Sequence, residues 1–125
     1  MTVVIGYFGG PEGKAALHHG AMEAQNHGQR LVVVDATPTT GSDSDALRQL
    51  DHGGIEYQLH EARLPDPAEN VLQAAQEHSA SLIVIGLRHR SPVGKLLLGS
   101  HAQRVLLEAD VPVLAVKSPP SATTG

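Results

Sequence analysis

Hydrophobic positions along the chain fall either in short continuous blocks or in stripes spaced three to four residues apart, the two patterns of buried strands and amphipathic helices. Val3-Val4-Ile5 is a β-branched block ending at Gly6, with Gly9-Gly10-Pro11 close behind, so a buried strand should run into a tight turn. Pro11 then opens a helix to about Asn26, whose inner face of Ala16, Leu17, Gly20, Ala21 and Ala24 is small enough to lie close on a sheet. Gly28 ends it. Leu31 to Val34 forms a second buried strand closed by Asp35, and the polar stretch from Thr37 to Asp45 reads as a loop. A short helix from Asp45 to Leu50 precedes Gly53-Gly54. Ile55, Tyr57 and Leu59 alternate with Glu56, Gln58 and His60, as in a half-exposed edge strand.

Asp66-Pro67-Ala68-Glu69 carries a helix cap, a first-turn proline and a capping-box acid. The helix should run to His78 on a stripe of Val71, Leu72 and Ala75, with His78 at its boundary. Leu82-Ile83-Val84-Ile85 is the most apolar segment, a central strand ending at Gly86. Ser100-His101-Ala102-Gln103 makes a second capping box, heading a helix through Glu108 with Ala102, Val105, Leu106 and Ala109 inward. Val111 to Val116 is the last strand, with Pro112 tolerated at its start. Strands that alternate with helices require parallel pairing through right-handed crossovers, and so predict an α/β, doubly wound, five-stranded parallel sheet with helices on both faces. Ligands of such sheets sit beyond the strand C-termini, which directs attention to the loops after the first and fourth strands.

Length and composition narrow the function. A chain of 125 residues makes one domain, 1–117, with a polar tail, 118–125, expected to be disordered. No leader pattern opens it and no apolar run nears the roughly 20 residues of a membrane helix, so a cytoplasmic protein without a membrane role is expected. A net charge of -4 argues against neutralising nucleic-acid phosphates. Between Glu77 and Glu108, however, there is no acid, while Arg88, Arg90, Lys95 and Arg104 all lie there. Those cations either attract a small anion or simply solvate a loop and a helix face. Cysteine is absent, which removes thiolate metal sites and nucleophiles.

The run Gly86-Leu87-Arg88-His89, nine residues, then Gly99-Ser100, a helix and the strand Val111-Pro112-Val113-Leu114-Ala115-Val116 resembles the signature of the universal stress protein family. Nucleotide-binding members show Gly, two residues, Gly, nine residues and Gly with Ser or Thr; His89 stands at the second glycine here. Gly9-Gly10-Pro11-Glu12 and the stretch from Asp66 to Gly86 are similar to the family's first turn, third helix and fourth strand. The resemblance implies strand order 3-2-1-4-5, a homodimer through the fifth-strand edge, and a regulatory stress-response module binding ATP, ADP or AMP, with Mg²⁺ accompanying the nucleotide. By position it places the ligand at Gly6, Tyr7, Phe8 and Gly9, at Val34, at Ile85, Gly86, Arg88 and His89, and at Gly99, Ser100 and His101. Independently of the family, a strand ending in glycine allows close approach to a ligand, and a helix starting at Ser100 offers free amides and a positive dipole end to phosphate. Family binders commonly carry aspartate where this chain has Phe8, on which an adenine can stack instead; His89 can donate to a phosphate. The alternative is a dimeric scaffold with a degenerate crevice and no nucleotide.

Other chemistry is excluded or thin. Gly13-Lys14 and Gly94-Lys95 lack the leading glycine and the Ser/Thr of a P-loop, and Gly9-Gly10 lacks the acid-serine pair of adenylating enzymes. The eight histidines show no His-x-x-x-His pair with a carboxylate and read as solvated side chains that make the charge sensitive to acid, with no metal site. No nucleophile elbow or Ser-His-Asp order is present, so no catalytic residue is assigned; Asp35 and Glu12 are the nearest acids for slow ATP hydrolysis.

Overall fold

The computed structural model describes residues 1–36, 48, 50–90, 95–97 and 99–117. Five parallel strands make the sheet: β1 (Thr2–Tyr7), β2 (Arg30–Asp35), β3 (Gln58–His60), β4 (Ala80–Arg90) and β6 (Val113–Lys117). Their spatial order is β3-β2-β1-β4-β6, the predicted 3-2-1-4-5 arrangement, and β5 (Lys95–Leu97) adds an antiparallel partner to the far end of β4. Helices α1 (Gly10–His27), α2 (Pro67–Glu77) and α3 (Ser100–Glu108) supply the crossovers. Arg48 and the residues Leu50, Asp51 and His52 are also helical, while the loop over 37–45 and the tail 118–125 lie outside the described residues.

The twofold alternation of strand side chains divides the core. Val3, Ile5, Tyr7, Val33 and Val84 face α1, whereas Val4, Val32, Val34, Ile83 and Ile85 face α2 and α3. Glycine sets how closely α1 can lie. A Cβ on Gly20 would stand 2.4 Å from Ile5 Cγ1, and one on Gly13 would stand 2.5 Å from the Tyr7 ring. On the opposite face, polar tethers supplement apolar packing. Buried Asn70 accepts from Leu64 N at 2.8 Å and donates to Leu64 O at 3.0 Å, which pins the approach to α2. Asp66 caps α2 by accepting from Ala68 N, as its sequence indicates.

Several boundaries differ from the sequence expectation. Strand β3 keeps only three residues, and Leu59 is 52% exposed because the edge is covered only in part, although Ile55 and Tyr57 still pack on the core. Strand β4 does not stop at Gly86 but continues to Arg90, where the antiparallel ladder to β5 satisfies its backbone. The last strand starts at Val113, since Pro112 has no N–H and contributes only its carbonyl, to Ile83 N at 3.0 Å. Gly99, not Ser100, is the cap of α3, and Leu106 is 43% exposed rather than inward.

Candidate functional site

Beyond the end of β1 and against β4 at Gly86 lies a crevice of about 200 Å³, lined by Phe8, Gly9, Glu12, Gly86, Gly99, Ser100, His101 and Ala102. Its shape follows from two glycine-led helix starts. Gly9 and Gly10, at φ 94° and 73°, take a left-handed backbone open to glycine and turn β1 directly into α1. The first helical bond of α1 runs from Gly13 N to Gly9 O at 3.2 Å, and that of α3 from Gln103 N to Gly99 O at 2.8 Å. The amides before these donors have no helical acceptor, so both helices bring positive ends to one hollow.

Gly86 forms the floor for a reason other than ligand approach. A Cβ there would stand 2.1 Å from the Glu12 carbonyl oxygen, so the first turn of α1 rests directly on the β4 main chain. The walls are Phe8 and His101, whose ring centroids are 5.7 Å apart at a tilt of 34°. Charge is distributed unequally. Glu12 occupies the first turn of α1, and its carboxylate folds toward Gly10, where a Cβ would meet Oε1. The first turn of α3 contains no acid, and exposed Ser100 sits at its first position. The α3 start is therefore the better seat for an anion.

Of the residues expected to touch a ligand, Phe8, Gly9, Gly86, Gly99, Ser100 and His101 come together here. Gly6, Tyr7, Val34 and Ile85 do not line the crevice. Gly6 lies under α2, its Cβ position 3.0 Å from Val71 Cγ2, while the Tyr7, Val34 and Ile85 side chains are fully buried in the two core layers. The Tyr7 carbonyl is also engaged, accepting from Ala36 N at 2.8 Å. Arg88 and His89 are paired in the backbone ladder with β5, and their side chains lie outside the described residues.

Arg104 does not serve as an anion-binding cation. It is ion-paired with Asp66, with Glu69 at 2.6 Å and with Glu108 at 2.8 Å, locking α3 to the start of α2. Glu108 follows Arg104 by one helical turn and was readable as a pair; Asp66 and Glu69 are brought in only by the tertiary fold. Glu12, named from the sequence only as a nearby acid, lines the crevice because α1 crosses β4, and Ala102 lines it from the first turn of α3. Among the described residues, no helix is long and apolar enough to cross a membrane.

Residues 45–117 match the model of the universal stress protein family. The chain is 42% identical to a universal stress protein of Mycolicibacterium smegmatis, over 92% of this chain and 96% of the relative. A universal stress protein structure from Archaeoglobus fulgidus superposes with a TM-score of 0.71 at 31% identity, covering 91% of this chain and 96% of that one. Another from Archaeoglobus fulgidus, in complex with dAMP, superposes with a TM-score of 0.67 at 26% identity, covering 91% and 94%.

Proposed function

The chain belongs to the universal stress protein family, and from that premise we propose that it is an adenine-nucleotide-binding regulatory module of the stress response. The observation that carries this reading is the acid-free start of α3 opening onto the crevice at Gly99 and Ser100. The complex of a relative with dAMP supports the ligand class. In this proposal the amides around Ser100 hold phosphate, the Ser100 hydroxyl adds a donor, and the face of Phe8 receives the base. The hollow of about 200 Å³ is smaller than the roughly 300 to 1,000 Å³ of drug-sized sites, so it seats the phosphate end while base and ribose extend toward the ends of β1 and β2. ATP, ADP and AMP share that recognition, and Mg²⁺ accompanies the longer phosphate chains.

The proposed role is regulatory and cytoplasmic, with any ATP turnover slow, since among the described residues Glu12 is the one carboxylate lining the crevice. We further propose a homodimer through β6, which among the described residues pairs only with β4 and leaves Leu114 37% exposed. The decisive measurement is calorimetry of the purified chain with ATP, ADP and AMP, joined to identification of any small molecule released on denaturation. Saturable binding that Ser100→Asp weakens is the expected result; absence of heat with all three nucleotides overturns the proposal. One observation favours a second reading, a dimeric scaffold that holds no nucleotide. The Phe8 and His101 rings already face each other across the crevice and can act as its plug. Under that reading Phe8→Ala creates nucleotide binding, whereas under the first it reduces it.

A further inference from the structure

A second hollow, of about 480 Å³, lies where the edge strand β3 meets the C-terminal end of α2, and it shares no lining residue with the crevice. Inside it His60 Nδ1 and His78 Nε2 are 3.2 Å apart, with the two rings nearly perpendicular at 81°. Glu77 Oε2 is 3.8 Å from the same His60 nitrogen, and the three donor atoms all lie within 4.8 Å of one another. We propose that His60, His78 and Glu77 form a binding site for a borderline divalent transition cation such as Zn²⁺.

The distances carry the argument. Two nitrogen ligands at roughly 2.0 to 2.1 Å from zinc, spanning a tetrahedral angle, stand about 3.3 to 3.4 Å apart, close to the separation the two imidazoles already have. The His60 side chain is only 10% exposed, so its ring is fixed by packing, while the Glu77 carboxylate is 54% exposed and free to swing the short remaining distance. Two nitrogens and one oxygen suit zinc and its neighbours rather than Mg²⁺ or Ca²⁺, which prefer all-oxygen shells. Three protein ligands leave a fourth position open to water or a small ligand in the hollow. The charge environment agrees. His78 is the C-cap of α2, whose dipole end is negative there. Arg63, the cation on the same wall, is occupied by Glu61 at 2.9 Å. The rest of the lining is uncharged: Gln58, Leu59, Leu64 and Gln73. Bound metal would tie the three-residue β3 to α2.

The test is titration of the tag-free chain with Zn²⁺ alone, competed against a chromophoric chelator, while the imidazole resonances are followed by NMR. Expected are one tight Zn²⁺ per chain, shifts at His60 and His78, and a loss of at least about tenfold in affinity in His60→Gln or His78→Gln. Glu77→Gln, at an exposed position and so harmless to folding, should weaken binding less, and the His18→Gln/His19→Gln variant should bind as the parent does. Mg²⁺ should not compete. Absence of micromolar binding by the parent chain, resonance shifts confined to other histidines, or binding that survives the His60→Gln/His78→Gln pair overturns the proposal.

Discussion

At the crevice α1 and α3 both begin after a glycine, Gly9 and Gly99, and both leave their first amides without helical acceptors. They part in what meets those amides. In α1 the Glu12 carboxylate supplies negative charge from within the first turn, so the chain itself offsets that dipole. In α3 no acid does so, and the exposed Ser100 leaves the turn open. Position in a parallel sheet therefore brings two equivalent helix starts together, and one side chain decides which of them remains available to a ligand.

That contrast can be broken most severely from below. Gly86→Ala forces a Cβ onto the α1 main chain, which cannot rotate away, and should cost about 3 kcal/mol in denaturant unfolding. Gly99→Ala, where a Cβ meets nothing within 4 Å, should cost under about 1 kcal/mol through its weaker cap. Equal losses for the two would show that the α1 contact on β4 is not what Gly86 provides. Next in size, Ser100→Asp gives α3 the acid that α1 already has. Calorimetric affinity for adenine nucleotide should fall by at least about tenfold, while stability holds or rises by about 0.3 to 1 kcal/mol. The converse change, Glu12→Gln, should raise nucleotide affinity by roughly two- to fivefold and lower stability by a similar 0.3 to 1 kcal/mol. Affinity unchanged in both variants would remove charge as the difference between the helices.

The smallest effect serves as a reference away from both helix starts, beside the C-terminal end of α1. Burial, with the charge of Asp51 and a hydrogen bond to it, raises the Tyr57 phenol above its ordinary pKa of 10.0. A raised value in the folded state means that the contribution of the neutral Tyr57 phenol to stability is intact below about pH 10 and is lost as pH climbs through the folded value. Ultraviolet titration should show Tyr57 ionising late, and Asp51→Asn should bring it back toward normal. Nucleotide binding should not respond to that substitution.

Much of the fold was legible because its signals are local. Continuous blocks such as Val3 to Ile5 and Leu82 to Ile85, short, rich in β-branched residues and closed by glycine, read as buried strands, and Asp66-Pro67 marks a helix start with no tertiary help. The spacing from Gly86 to Ser100 likewise pointed to the crevice, and six of its expected residues meet there. What escaped depends on contacts distant in sequence. Gly86 looks like a ligand-facing glycine until α1 is seen resting on it. Arg104 looks like a spare cation until Asp66 and Glu69 arrive from α2. His60 and His78 are separated by the whole of α2, so no spacing rule joins them, although the fold brings their nitrogens to 3.2 Å. The Tyr7 side chain lies in the core rather than on the crevice for a simpler reason. Strand alternation sends neighbouring residues to opposite faces, and Tyr7 falls on the α1 side.

The bare glycine contact beneath the crevice bears on how such a protein diversifies. A base built from main-chain atoms looks the same to a guest whatever side chains surround it, so exchanges at Phe8 and His101 can retune which guest is accepted without rebuilding the support. Under the proposed function, selectivity and architecture are then encoded at separate positions, and one can drift while the other stays put.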